Sequence, residues 1–437
     1  MENIVKIPAR FEITDAGKIK ANSAHNVFLA LRHDDFTSSG LKYNEFTDDW
    51  EVVSPFSLGY TDFKRGEVPT HLESALTIHF EKELGIIFTN QAMKSGLEIF
   101  MNFNSYNPVQ DYMENALNKW DGKDRISTLF HDYLGAENSK IVQKITTLFL
   151  VGAVKKVYQP DFKFDYVLDL VGGQGVGKTS ILAKLGMKWY TDSITDFQNK
   201  DNYELMLRCL IVNDDEMVAS KKCGFAELKA FITKRRLRFR KPYAKRSVEY
   251  AKKFILARTT NEVDYLKDKT GERRFLPVLV GVNPQKKHPM ELTSEEVAQI
   301  WGQALAMYQK KYNLVLTKAE EDELAEYRER FMYKSELENK LDFYLDMLVP
   351  KHWGSMKLIE KQAYVENYNE GVRYGTEQIN RVTTEEILQV LFNVEVTNQK
   401  IATKVKYFMD NLPEWEHARL KIKGTLRMGY KRKKGTV

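Results

Sequence analysis

The residues with the plainest chemical meaning are Gly172-Gly173-Gln174-Gly175-Val176-Gly177-Lys178-Thr179, followed by Ser180. Glycines let backbone N–H groups close around an anion, and a helix beginning directly after them adds a partial positive charge. The spacing G-x-x-x-x-G-K-[ST] describes a cradle for a nucleoside triphosphate. Lys178 would reach the β- and γ-phosphates, and the Thr179 hydroxyl would hold Mg²⁺. ATP and Mg²⁺ are the expected ligands. A second group is Leu210-Ile211-Val212-Asn213-Asp214-Asp215-Glu216, an apolar run ending in three acids. Asp215 lies 37 residues beyond Lys178 (215 − 178). Asp215 is the expected metal ligand, with Asp214 as its substitute, and Glu216 is placed to polarise an attacking water.

Two later groups complete the set. Lys252 to Asn261, KKFILARTTN, is apolar and closes on an amide. Many ATPases of the ring-forming class put an asparagine at such a strand end, against the γ-phosphate and the water, and Asn261 fits that role. Next, Thr270-Gly271-Glu272-Arg273-Arg274-Phe275 sets two arginines after a glycine turn. Either Arg273 or Arg274, lent to a neighbouring subunit, would stabilise transition-state charge.

These residues need a frame. Tyr166 to Val171 reads as a buried strand, Ser180 to Leu185 as a helix, and the two apolar runs as further strands, giving an α/β fold with a phosphate loop. Upstream, Asn107-Pro108 opens a helical block with helices over 109–119 and 139–157, read as a lid or collar spanning 105–160. The ATPase core is expected over 161–333. Residues 1–104 mix helices with a hairpin over Leu41 to Val53. His25, His33, His71 and His79 there have no compact ligand spacing, so this α+β domain is given no chemistry.

Between the second and third strands, Lys234 to Lys253 holds ten Lys or Arg and one acid. Alternation around Arg238 and Arg240, with a turn near Pro242, predicts a basic hairpin. Arg238, Arg240, Lys241, Tyr243, Lys245 and Arg246 are the expected contacts to single-stranded DNA, since basic residues interleaved with aromatics track a backbone. Residues 334–437 form a small domain in which two helices, the first starting near Thr384, precede strand-like pieces around Gly424 and Gly429. That order suggests a winged helix-turn-helix. From Arg419 to Val437 there are eight Lys or Arg and no acid, an electrostatic footprint for DNA phosphates.

Composition sets the outer bounds. The chain has 437 residues, 43% of them hydrophobic and 29% charged, with a net charge of +6. Such values are ordinary for a globular protein of two to four domains. Cys209 and Cys223 make no disulfide framework, and neither a signal peptide nor an eighteen-residue apolar run is evident, so a cytoplasmic protein without a membrane is expected.

Taken together, Asn107-Pro108-Val109, Trp120-Asp121-Gly122 with Arg125, the phosphate loop, Pro242-Tyr243, Thr260-Asn261 and Gly271-Glu272-Arg273-Arg274-Phe275 resemble the virulence-associated protein E family. That family occurs in phages and mobile genetic islands and is related to superfamily 3 replicative helicases. The resemblance is good over about 105–285 and looser in the C-terminal domain. It implies an AAA+-like helicase in the cytoplasm of a bacterial host. A homo-hexameric ring would hold ATP between subunits while channel hairpins pull single-stranded DNA. Origin duplex DNA and a primase or other replisome protein would be further partners. The chain departs from the family at Asn213, where Glu is frequent, and at Arg258, where a small residue is frequent. The second reading is an origin-binding initiator or regulatory ATPase without processive unwinding. A phosphate-loop kinase, the third, leaves the basic segment idle.

Overall fold

The computed structural model describes residues 11–240, 246–266, 272–394, 398–422 and 425–433. The chain forms two compact units, Met1–Phe331 and Met332–Val437.

At the centre of the first unit is a five-stranded parallel sheet. Its order is Phe275–Leu279, Val167–Val171, Ile255–Thr260, Ile211–Asp214, Tyr190–Thr191. Four of these strands are buried on both faces almost throughout, as strands covered by helices on either side must be. Every pairing is parallel, so all the strand C-termini share one edge. Chains that follow this pattern gather ligands at that edge. The glycine loop leaves Val171 there and enters the helix Lys178–Gly186.

The helix Lys140–Tyr158 does not form a separate lid. It is buried along most of its length and packs on the sheet through apolar residues that include Ile141, Ile145, Leu148, Phe149 and Val154. Beside it, Pro108–Asn118 starts on an Asn107 side chain that accepts from Val109 N and Gln110 N. This helix packs against Ser294–Gln309, where Gly302 has no room for a Cβ beside the Ala116 carbonyl. The Trp120–Arg125 turn is held by the same long helix. Gln299 accepts from Asp121 N at 2.9 Å and Gln303 from Arg125 N at 2.8 Å, while Arg125 and Asp121 pair bidentately. That motif is structural, an anchor between two helices.

The first hundred residues have a core of their own, with Leu31, Leu41, Leu76, Leu97 and Phe100 at its centre. A four-stranded sheet of order Gly66–Glu67, Asp49–Val52, Leu41–Asn44, Ser105–Tyr106 accompanies four helices. The hairpin turn docks on the parallel-sheet region. Phe46 meets Trp189, Arg208 bridges Asp49 and Glu67, and Lys253 Nζ donates to Phe46 O at 2.7 Å. His79 pairs with Asp34 at 2.6 Å.

The second unit packs Leu341, Tyr344, Val365, Ile387, Val405 and Met409 into a core. Its sheet has the order Arg381–Val382, Thr425–Arg432, Trp415–Ile422, and the helices Thr384–Leu391 and Gln399–Asp410 follow its first strand. Thr383, one residue before the expected Thr384, caps the first helix by accepting from Glu386 N. Gly429 sits inside a strand because a Cβ would come within 2.6 Å of Val382 O.

Candidate functional site

The site forms where three strands end. Gly175 and Gly177 have φ of +83° and +90°, a region open to glycine, and a Cβ on Gly177 would strike Pro289 at 2.6 Å. Gly173, Gln174 and Gly175 form the exposed crest of the loop, and Gln285 Nε2 fixes its base by donating to Val176 O at 2.7 Å. Gly172, Val176 and Ser180 complete the turn and first helical residues.

Lys178 is buried at 6% exposure, and its ammonium donates to three neutral oxygens. These are Gly172 O and Gly173 O, each at 2.8 Å, and Asn261 Oδ1 at 2.9 Å. Burial pushes its pKa below the usual lysine value, against the opposing charges of Glu216 and Asp215. A buried cation facing a crest of backbone groups is a site in want of an anion.

Beside it, Thr179 Oγ1 donates to Asp215 Oδ1 at 2.7 Å. A hydroxyl and a carboxylate side by side are hard oxygen donors of the type that takes Mg²⁺ with several waters. Asp214 points elsewhere. Its carboxylate accepts from Ala219 N, Ser220 N and Ser220 Oγ at 2.5–2.9 Å and is fully buried. Burial raises its pKa in spite of those bonds. Asp214, the substitute ligand in the sequence reading, therefore serves the strand end, and Asp215 alone meets Thr179.

The strand stops at Asp214, shorter than the sequence suggested, because Glu216 and Met217 turn through left-handed φ of +50° and +54°. This turn carries Glu216 to the surface, where it accepts from Asn261 Nδ2 at 3.1 Å. Lys178, Asn261 and Glu216 thus form a continuous chain, and Thr179 and Asp215 flank it.

Sequence reasoning missed Thr259. It is fully buried, donates to Asp215 Oδ1 at 2.7 Å and accepts from Glu216 N at 3.1 Å, so one hydroxyl orients both acids. Beneath it lies a buried ion pair. Arg258 meets Asp169 through two hydrogen bonds of 2.7 and 2.6 Å, with Tyr265 OH donating to the same carboxylate and Ser220 Oγ within 3.3 Å of Arg258. Burial opposes the guanidinium charge, but Asp169 outweighs it and raises the Arg258 pKa. The available signal was a charge inside each apolar run, Asp169 and Arg258, since such residues are buried only in pairs.

Arg273 and Arg274 stand apart from this site. They precede Phe275, which pairs with Val167 at the far edge of the sheet, a strand length of about 17 Å from the glycine loop. Arg273 is exposed.

The basic segment forms an antiparallel ribbon, Arg236–Phe239 with Val248–Ala251. Leu237 and Phe239 are buried, while Arg238, Arg240 and Arg246 are exposed. Not all its charge is left unpaired at the surface: exposed Arg236 pairs with Asp161, and Lys252 is enclosed beneath Phe231 and Phe254. Lys241, Tyr243 and Lys245 lie outside the described residues.

These features define an α/β protein with a parallel sheet and a glycine loop, acids and an amide at its C-terminal edge. The chain belongs to the virulence-associated protein E-like domain family, whose family model matches residues 113–333, just over half of it. No curated protein matches the chain. Among solved structures it is similar to apo forms of the NrS-1 C-terminal region. One, of residues 305–718 in the A form, has a TM-score of 0.42 at 14% identity, covering 90% of this chain and 95% of that one. Another A-form structure has a TM-score of 0.44 at 15% identity, covering 94% and 100%. No helix among the described residues is long and apolar enough to cross a membrane.

Proposed function

We propose that this protein is an ATP-driven DNA helicase of phage or mobile-element replication, built on an AAA+-like superfamily 3 core. ATP and Mg²⁺ bind at the glycine loop, and subunits assemble as a homo-hexameric ring around single-stranded DNA. The observation that carries the reading is the chain Lys178–Asn261–Glu216, flanked by Thr179 and Asp215. Bound ATP with Mg²⁺ supplies the labile phosphoryl bond and its charge neutralisation. Lys178 would exchange its carbonyl partners for phosphate oxygens, and Thr179 with Asp215 would hold the metal. Glu216 would accept a proton from a water that Asn261 helps to orient.

In this reading Arg273 or Arg274 serves a neighbour's γ-phosphate, in keeping with their distance from their own loop. Arg238, Arg240 and Arg246 on the ribbon grip the strand, and Lys241, Tyr243 and Lys245, which lie between its two strands in the sequence, belong to the same proposal. The test is steady-state ATP turnover with and without a homopolymeric single strand. Turnover should rise with the strand, and Lys178→Ala should lower it roughly 10²–10³-fold with the circular-dichroism spectrum unchanged. Turnover indifferent to Lys178→Ala would end the proposal.

A further inference from the structure

That chemistry leaves the Met332–Val437 unit without a task, and one of its faces suits a polyanion. The helix Gln399–Asp410 buries Val405 and Met409 in the unit's core. Lys400, Thr403, Lys404 and Tyr407, spaced i, i+3, i+4 and i+7, are exposed on its opposite side, with Tyr407 at 65%. This face spans about 10 Å along the axis, and a helix with its side chains fits the ~12 Å width of the major groove.

Three acids nearby have partners within the unit. Asp410 accepts from Tyr430 OH and pairs with His417, Glu385 pairs with Arg427, and Glu386 pairs with Lys361. Some basic residues are structural as well. Arg432 lies over Trp415 and donates to Leu345 O, and Lys433 holds Pro413 O. On the exposed face of the helix the charges, Lys400 and Lys404, are positive.

The Trp415–Arg432 hairpin adds an arm. Its third strand, Arg381–Val382, covers only Tyr430 and Lys431, and pairing continues five residue pairs further, from Ala418↔Gly429 to Ile422↔Thr425. Directly opposed residues share a face, so Arg419 and Lys421 stand beside Met428 and Leu426, which are 62% and 68% exposed. Basic residues interleaved with apolar wedges are the equipment of minor-groove contacts. A single-strand grip instead needs a groove with several aromatic platforms, and Tyr407 is the only exposed aromatic on this helix.

We propose that this unit binds double-stranded DNA, with the Gln399–Asp410 helix in the major groove and the hairpin arm along the adjacent minor groove. The proposal stands apart from nucleotide chemistry, so its test is run without nucleotide on the full chain. Fluorescence anisotropy compares a blunt duplex of about two helical turns with a homopolymeric single strand, from about 50 to about 200 mM salt. The variant K400A/K404A/Y407A should weaken duplex binding at least about tenfold. It should also lower the slope of log affinity against log salt by about 2, since two phosphate contacts are lost, and leave single-strand affinity alone. A second variant, R419A/K421A, should weaken duplex binding independently. Unchanged duplex affinity in both variants, or an equal loss on both probes, overturns the proposal.

Discussion

At the scale of single residues, the candidate site depends on Thr259 as much as on the acids it holds. Thr259→Val removes the donor to Asp215 and the acceptor from Glu216 N at nearly constant volume. ATP turnover should fall roughly 10–100-fold, the range for losing a group that orients a ligand or base, read as kcat with the nucleotide KM reported beside it. Arg258 is a question of stability instead. Arg258→Met leaves the Asp169 carboxylate enclosed without a counter-charge, only the Tyr265 hydroxyl still donating to it, which should cost about 3–5 kcal/mol in urea unfolding. The pair variant with Asp169→Leu should recover much of that loss. The glycine loop, the acids and Asn261 were legible because their types and order follow chain chemistry. The Asp169–Arg258 pair was not, since its members are 89 residues apart and only the register of two strands brings them together.

At the scale of elements, the basic ribbon shows how a charge run divides into function and scaffold. Lys252 closes the helix Phe225–Thr233 by donating to Phe231 O and Ile232 O, and burial pushes its pKa down to about 7. In the unfolded chain a lysine titrates near 10.4. Between these values the unfolded state binds the extra proton, so unfolding free energy rises with pH from about 7 to about 10.4, by at most about 5 kcal/mol. Below pH 7 both states are charged and the penalty is constant. Lys252→Met should flatten the rise, as read from urea midpoints at about pH 7 and about pH 9. Alternation predicted the ribbon, yet alternation cannot tell Arg238 from Arg236, whose partner Asp161 is 75 residues away. The two-residue strand Arg381–Val382 was also unreadable, being too short for a period.

At the scale of the whole molecule, the chain forms two units, Met1–Phe331 and Met332–Val437, and the second packs a core of its own. The first hundred residues were read as an α+β domain from their mixture of helical and strand-like segments, and the structure gives them a core of their own. Their union with the following residues rests on the Phe46 and Arg208 contacts, which no local signal announces. One further consequence follows from the sheet. The arginine pair precedes a strand whose far end adjoins the glycine loop, and five paired residues fix that separation as firmly as a ruler. No side-chain rotation closes it. If an arginine completes the reaction, each molecule is half of two catalysts and the whole of none. Specific activity should then collapse on dilution, with a midpoint matching the loss of association seen by analytical ultracentrifugation.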